Sequence, residues 1–225
     1  FLMKAEGPVR VEPGRLRIHT DVLRLMLQIW IPAGIQSTVF SLANICVQSA
    51  VNSLGADVMA GSSAAFNIEI FSYYILVSFG QACTTFVGQN YGAGKMDRCK
   101  RTLRLALLQD LAAIAIVALL VNFFGVQMLR IFNTDPAVAK FGMIRLRYIV
   151  TAHLFSVFVE TISGAMRGYG FSAYPAFMSL FGICGIRIFW VYTVFIRNPV
   201  FDVLMMVYPV SIGVTAAAIA AVYFR

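Results

Sequence analysis

Charged residues are scarce in this sequence. Lys, Arg, Asp and Glu make up 12% of its 225 residues, whereas 60% are hydrophobic and the mean hydropathy is +0.79. An ordinary soluble domain carries about 25% charged residues and about 45–50% apolar residues. The composition therefore excludes an ordinary soluble domain and is typical of an integral membrane protein.

Residues that commonly hold metals or act as nucleophiles are also few. The two histidines, His19 and His153, lie far apart, and the four cysteines show no C-x-x-C spacing. The sequence thus predicts no catalytic site, no metal site, no cofactor and no enzyme activity. We expect His153 to be a hydrogen-bonded interior residue. We also expect reduced, unpaired and mostly buried thiols at Cys46, Cys83, Cys99 and Cys184.

Long apolar runs dominate the rest of the chain. Six of them are near or above the ~18–20 residues that a helix needs to cross about 30 Å of hydrocarbon, and turn-forming or charged residues separate them. The sequence therefore predicts an all-α integral membrane protein, a six-transmembrane-helix bundle over residues 25–225. The predicted spans are 25–51, 60–87, 103–124, 149–166, 174–196 and 203–224.

Residues 1–24 form a basic leader without the short apolar core of a signal peptide. Because the chain begins with Phe, we expect it to be an interior piece of a longer protein. Twelve Lys and Arg residues fall on the side of the leader and the C-terminus, and five on the other. Positive charge marks the cytoplasmic side. The sequence therefore predicts cytoplasmic termini, and the five residues expected outside are Arg130, Lys140, Arg145, Arg147 and Arg197.

The net charge of +8 is explained by this topology and by attraction to anionic membrane lipid, so no nucleic-acid partner is expected. A Gly-rich stretch, TTFVGQNYGAGKMDRCKR at residues 84–101, superficially resembles a phosphate-binding loop. Five residues separate Gly88 from Gly94, and Met96 follows Lys95 where a Ser or Thr would be required. A predicted helix also precedes the stretch where a strand would be needed. These differences exclude a nucleotide site.

Two motifs carry a resemblance to a known family. The sequence VGQNYGAGKMDRCKR at the end of the second predicted helix, followed by MRGYGFSAYP at the end of the fourth, closely resembles the multidrug and toxic compound extrusion (MATE) transporters. The resemblance covers roughly residues 14–225. It implies that the chain is the C-terminal six-helix lobe of a twelve-helix parent, with the leader as interlobe linker and an N-terminal lobe as partner.

The same resemblance implies a function and a location. We expect secondary active efflux of small organic cations by Na⁺- or H⁺-coupled antiport, in the bacterial plasma membrane. The Gly-rich turn is then expected to be a conformational joint, with positive φ at Gly88, Gly92 and Gly94 and basic residues anchored to lipid headgroups. The predicted joint consists of Gly88, Gln89, Asn90, Gly92, Gly94, Lys95, Arg167, Gly168 and Gly170.

Glu69 in the second predicted span and Glu160 in the fourth are candidates to bind a cation or carry a proton, because a carboxylate inside the membrane is costly and usually functional. Glu69 has no obvious basic partner at its depth, with Asn67 and Tyr73 nearby in sequence. Glu160 is expected closer to the cytoplasm, so the two carboxylates are not expected to share a site. Arg187 in the fifth span is a possible structural partner of Glu160.

The first span carries amides where related drug exporters often have an acidic residue. Gln36, Asn44 and Gln48 fall roughly on one helix face, where they can line a cavity but cannot release a proton. The coupling carboxylate can therefore lie in the absent lobe. Two alternatives stay open: a lipid-linked precursor flippase of the same superfamily, which should have a more cationic cavity, and a membrane protein without a transport role.

Overall fold

The computed structural model describes residues 19–225. Most of the predicted leader lies outside the described residues, as do ten side chains of the first helix, including that of Gln36. The described chain is helical and contains no strand, which confirms the predicted fold class. Its first four helices are α1 (Thr20–Asn52), α2 (Ala56–Gly92), α3 (Met96–Arg130) and α4 (Pro136–Gly168).

The last two spans are interrupted helices. The fifth, Ala173–Phe195, begins as α5 (Ala173–Ser179), and the sixth, Phe201–Tyr223, consists of α7 (Phe201–Met205) and α8 (Val207–Tyr223). Within the fifth span, α6 (Ile186–Trp190) lies between two π-helical stretches, Leu180–Gly185 and Val191–Phe195. Among the described residues, five helices are long and apolar enough to cross a membrane, and α1 is of similar length.

The fourth helix is longer than the sequence predicts. Asp135 is its N-cap and accepts a hydrogen bond from the Ala137 amide, while Pro136 occupies the first turn, where its missing N–H costs nothing. The predicted span began at residue 149, because charged residues before it were assigned to an external loop. Arg145 instead lies well inside α4 and is buried, so its external placement is wrong.

α4 is the most buried of the spans and runs parallel to α2. A Cβ on Gly164 would collide with the carbonyl oxygen of Gly80, and a Cβ on Gly88 would lie 3.5 Å from the carbonyl oxygen of Gly168. Small residues allow such close helix contact in membranes. Because the two helices are parallel, their C-terminal ends lie at the same end of the bundle.

The third helix, α3, lies at the periphery of the described bundle. Its exposed side chains include Leu108, Ile116, Leu119 and Phe123, each more than half exposed. In a membrane such a surface faces lipid acyl chains, since large apolar patches are not left in water. The interior of the bundle, between α1, α2, α4 and the last two spans, is therefore where polar groups are protected from lipid.

Candidate functional site

Glu69 and Arg145 form a buried ion pair between α2 and α4. The Arg145 Nε and one terminal nitrogen donate to the two Glu69 carboxylate oxygens at 2.9 and 2.6 Å. The other terminal nitrogen donates to the Ser62 hydroxyl at 2.7 Å. The prediction that Glu69 lacks a basic partner is wrong. Asp135 followed by Pro136 is typical of a helix start. This signal would have placed Arg145 inside the fourth helix rather than before it.

Arg187, on α6, lies beside this pair but has a different environment. Its guanidinium donates to the Asn44 side-chain oxygen at 2.9 Å, and its Cζ lies 4.5 Å from the centre of the Tyr208 ring. The Arg145 Cζ lies 5.8 Å from the centre of the same ring, so both guanidinium groups are close to Tyr208. Arg187 is only 5% exposed, and its Nε has no hydrogen-bond partner within residues 19–225.

Glu160 pairs loosely with Arg167. Their charged atoms are 4.0 Å apart, and both side chains are about one third exposed. The predicted pairing of Glu160 with Arg187 is therefore not the arrangement found, because Arg187 contacts Asn44 and Tyr208 instead. Because 4.0 Å is longer than a hydrogen bond, Arg167 does not engage the Glu160 carboxylate directly, and this carboxylate is available for another cation.

A cavity of about 450 Å³ joins these groups. The predicted depths of Glu69 and Glu160 in the membrane placed these two carboxylates in separate sites. Gly80, whose backbone faces Glu160, lies about three turns beyond Glu69 on α2, which corresponds to about 16 Å. That backbone separation agrees with the prediction, but both carboxylates line one cavity. Its polar lining includes Asn44, Gln48, Glu69, Tyr73, Glu160 and Arg187.

Asn67, another predicted site residue, does not contribute to this lining. Asn67 is exposed and donates to the Ser63 carbonyl of its own helix. The side chain of Gln36 lies outside the described residues. Gln48 lines the cavity while donating to Asn52 at 2.9 Å, and His153 also lines it with its Nδ1 3.0 Å from the Ser72 hydroxyl.

Asp110 is a third carboxylate inside a predicted span, so the expectation that Glu69 and Glu160 are the only two is wrong. It is completely buried on α3, where Thr161 donates to one carboxylate oxygen at 3.1 Å and the other oxygen has no partner among the described residues. The signal was present in the sequence, since residue 110 lies inside the third predicted span. Asp110 does not line the cavity between the two glutamates.

The two sequence motifs meet at the C-terminal ends of α2 and α4. Gly88 lies against Gly168, and the rings of Tyr91 and Tyr169 are in edge contact, with centroids 5.2 Å apart. Of the three glycines expected to need positive φ, only Gly94 has it, at 71°. Gly88 and Gly92 are helical, so that part of the prediction is wrong; Gly170, in the second motif, has φ of 91°.

The same end of the bundle contains a second cavity, of about 870 Å³. Tyr91, Tyr169 and Tyr223 form an aromatic wall, and Lys100 and Arg104, one turn apart on α3, lie at its edge. Of the predicted joint, Gln89, Asn90 and Lys95 are close to this region in the chain. Asn90 donates to the Phe86 carbonyl, and the Lys95 amide donates to the Asn90 carbonyl.

A polar, charged cavity lined by membrane-spanning helices is typical of a membrane transport protein, because charged groups inside a membrane commonly line a solute or ion pathway. Comparison with known proteins identifies the family. The MatE family profile matches residues 32–193, and the chain belongs to that family of transporters. The family assignment agrees with the resemblance carried by the two motifs.

Individual relatives show the same relationship. The chain is 26% identical over 191 residues to the probable multidrug resistance protein YoeA of Bacillus subtilis, covering 84% of this chain and 41% of that protein. It is 33% identical over 130 residues to a probable multidrug resistance protein NorM of Pasteurella multocida, covering 57% of this chain and 28% of that protein. The chain spans about half the length of the relatives it matches or less.

A solved structure shares the fold. The crystal structure of a MATE protein in complex with MaL6 superposes with a TM-score of 0.80 at 14% identity, covering 96% of this chain and 51% of that one. This similarity shows that the six-helix arrangement is a unit of a larger MATE architecture. The chain is thus a multi-pass membrane protein with the fold of about half a transporter.

Proposed function

We propose that this chain is the C-terminal lobe of a secondary transporter that exports small organic compounds, cations among them, in exchange for Na⁺ or H⁺. The observation that carries the proposal is Glu160: a carboxylate that lines a cavity between membrane-spanning helices and has only a loose partner among the described residues. A group of this kind can exchange one cation for another, which antiport requires.

Because Glu69 is paired tightly with Arg145, Glu160 is the better candidate for cation exchange. Both oxygens of Glu69 are held by Arg145, so a solute or ion would have to displace a buried bidentate partner. Glu160 needs only to release Arg167 across 4.0 Å. Tyr73 lines the same cavity and offers an aromatic face to an organic cation.

The parent protein is proposed to lie in the bacterial plasma membrane, with the N-terminal six-helix lobe as the partner of this one. The length of the relatives supports a second lobe. Alternating access then consists of movement of one lobe against the other. The C-terminal ends of α2 and α4 are proposed to face the cytoplasm, where Lys100 and Arg104 can contact anionic lipid headgroups.

The test is transport by the full-length parent in proteoliposomes, with a fluorescent organic cation and with Na⁺ and pH gradients imposed separately. We expect dye flux that depends on one of the gradients and that Glu160→Gln abolishes. Asp57→Asn, an exposed acidic substitution on α2, is the matched control and should transport normally. Absence of gradient-driven flux in the parent, or normal flux in Glu160→Gln, contradicts the proposal.

A flippase for lipid-linked precursors is the second candidate, and Arg187 favours it as a cation in the cavity. Arg145 adds little, because Glu69 neutralises it. Movement of a fluorescent lipid-linked phosphate between leaflets of the same proteoliposomes, without any response to organic cations, would favour the flippase.

A further inference from the structure

The part of the cavity around Tyr208 carries an uncompensated positive charge. Arg145 and Arg187 approach the same Tyr208 ring, but the one carboxylate that pairs with them, Glu69, has both oxygens engaged by Arg145. Within the described part of the chain, no Asp or Glu lies within 4.0 Å of Arg187. Two guanidinium groups and one carboxylate leave a net charge of about +1.

Within residues 19–225, the Arg187 guanidinium lies against the neutral groups of Phe40, Asn44 and Tyr208. Asn44 accepts one of its hydrogen bonds and the Tyr208 ring packs against its plane, but neither removes the charge. The Nε is buried and has no partner among the described residues, although a guanidinium has five N–H groups to satisfy. A buried charge in a membrane protein is costly unless it is paired, and a guanidinium suits the two oxygens of a carboxylate or phosphate.

We propose that Arg187 binds a negatively charged group, a carboxylate or a phosphate oxygen pair, on the transported solute. This inference rests on the proposed transport function and adds to it the charge pattern of the solute. The backbone of Glu160 faces Gly80, about 16 Å along α2 from Glu69, and Glu160 and Arg187 line the same cavity. The cavity therefore favours an elongated solute with a cationic group at one end and an anionic group at the other.

The experiment uses two fluorescent probes that differ in one charge. The first is a xanthene dye with a fixed cation and a free carboxylate, and the second is the methyl ester of the same dye. Equilibrium binding of each dye to the purified full-length parent is measured by fluorescence anisotropy, and flux of each is measured in proteoliposomes. Binding does not require coupling, so the anion site can be tested even if the transport proposal fails.

The informative variant is Arg187→Gln, which can still donate to Asn44 but has no charge. We expect it to weaken binding of the carboxylate dye about tenfold, the loss of a charge-assisted hydrogen bond, while the ester binds as it does to the unsubstituted protein. Arg187→Lys, which keeps the charge but not the planar fork, should recover part of the affinity. Arg147→Gln, at an exposed arginine on α4, is the matched control and should bind both dyes normally.

The ester makes the result independent of folding, because both dyes are measured on the same preparation. Equal weakening of both dyes in Arg187→Gln would show that Arg187 only supports the structure and would overturn the proposal. Unchanged preference for the carboxylate dye in Arg187→Gln would overturn it as well. Discrimination in binding without flux of either dye would support the anion site and count against the proposed transport function alone.

Discussion

Arg145 holds both carboxylate oxygens of Glu69, at 2.9 and 2.6 Å, between two parallel helices of the bundle. The two side chains are only 6% and 10% exposed, so neither charge is solvated by water to any extent. Removing one partner leaves the other buried and uncompensated, whereas removing both leaves no charge. The pair is therefore a structural unit before it is a transport site.

The first prediction follows from this unit. Glu69→Gln should lower the free energy of unfolding by about 3–5 kcal/mol, because Arg145 then remains charged and unpaired. The double substitution Glu69→Gln with Arg145→Gln should recover most of the loss. The loss and the recovery are both measured by thermal unfolding of the chain in detergent. Unfolding is monitored through the reaction of a dye with the buried cysteines as they become exposed. A Glu69→Gln protein as stable as Asp57→Asn would show that the ion pair contributes nothing.

The second prediction concerns the contact between α2 and α4. Gly164→Ala places a methyl group against the carbonyl of Gly80, and backbone cannot move aside as a flexible side chain can. We expect a loss of about 1–3 kcal/mol by the same unfolding measurement. Gly185→Ala is the control, because nothing lies within 4 Å of a Cβ at that position. Equal effects of the two substitutions would contradict the close contact.

The third prediction separates two glycines of the turn after α2. Gly94 has φ of 71°, a conformation that disfavours Ala, so Gly94→Ala should destabilise the chain by about 1 kcal/mol. Gly92 is helical with open space around it, and Gly92→Ala should be neutral or slightly stabilising. Stability measurements on both variants decide the matter; a larger loss for Gly92→Ala would show that the turn has another conformation.

The fourth prediction tests the orientation of the chain in the membrane. A cysteine at Thr134 should react with a membrane-impermeant maleimide added to intact cells, and a cysteine at Arg98 should not. Thr134 is preferable to Asp135, because Asp135 caps α4. Cys46, the one thiol of the four that is not buried, is first replaced by Ser. Reaction at Arg98 but not at Thr134 would reverse the topology.

The predicted fold was accurate because hydrophobic run length is a local property. Apolar residues repeat long enough in each span to indicate a membrane helix, and turn residues mark the ends. Helix ends within polar sequence were harder to place. Lys140, Arg145 and Arg147 look like an external loop when read one by one, yet they continue a helix that Asp135 and Pro136 begin.

The site was less predictable, because its geometry depends on contacts between distant residues. Glu69 and Arg145 are 76 positions apart, and Asn44 and Arg187 are 143 apart. Depth along a helix can be estimated from residue numbers, and the estimate for Glu69 and Glu160 agrees with the structure. Which face of each helix meets which neighbour cannot be estimated in that way, so the pairing of Arg187 was wrong.

The two π-helical stretches on either side of α6 determine the angular position of Arg187 around the helix axis. A π-turn accommodates an extra residue, so every side chain after it is displaced by one position, or about 100° in an α-helix. If Leu180–Gly185 took up α-helical hydrogen bonding, the register between α5 and α6 would change and Arg187 would turn away from Asn44 and Tyr208. The direction of the Arg187 side chain thus depends on the hydrogen-bonding pattern of Leu180–Gly185, which precedes it in the chain. Deletion of Phe181, which does not line the cavity, would shift this hydrogen-bonding pattern while keeping every cavity-lining residue in the chain.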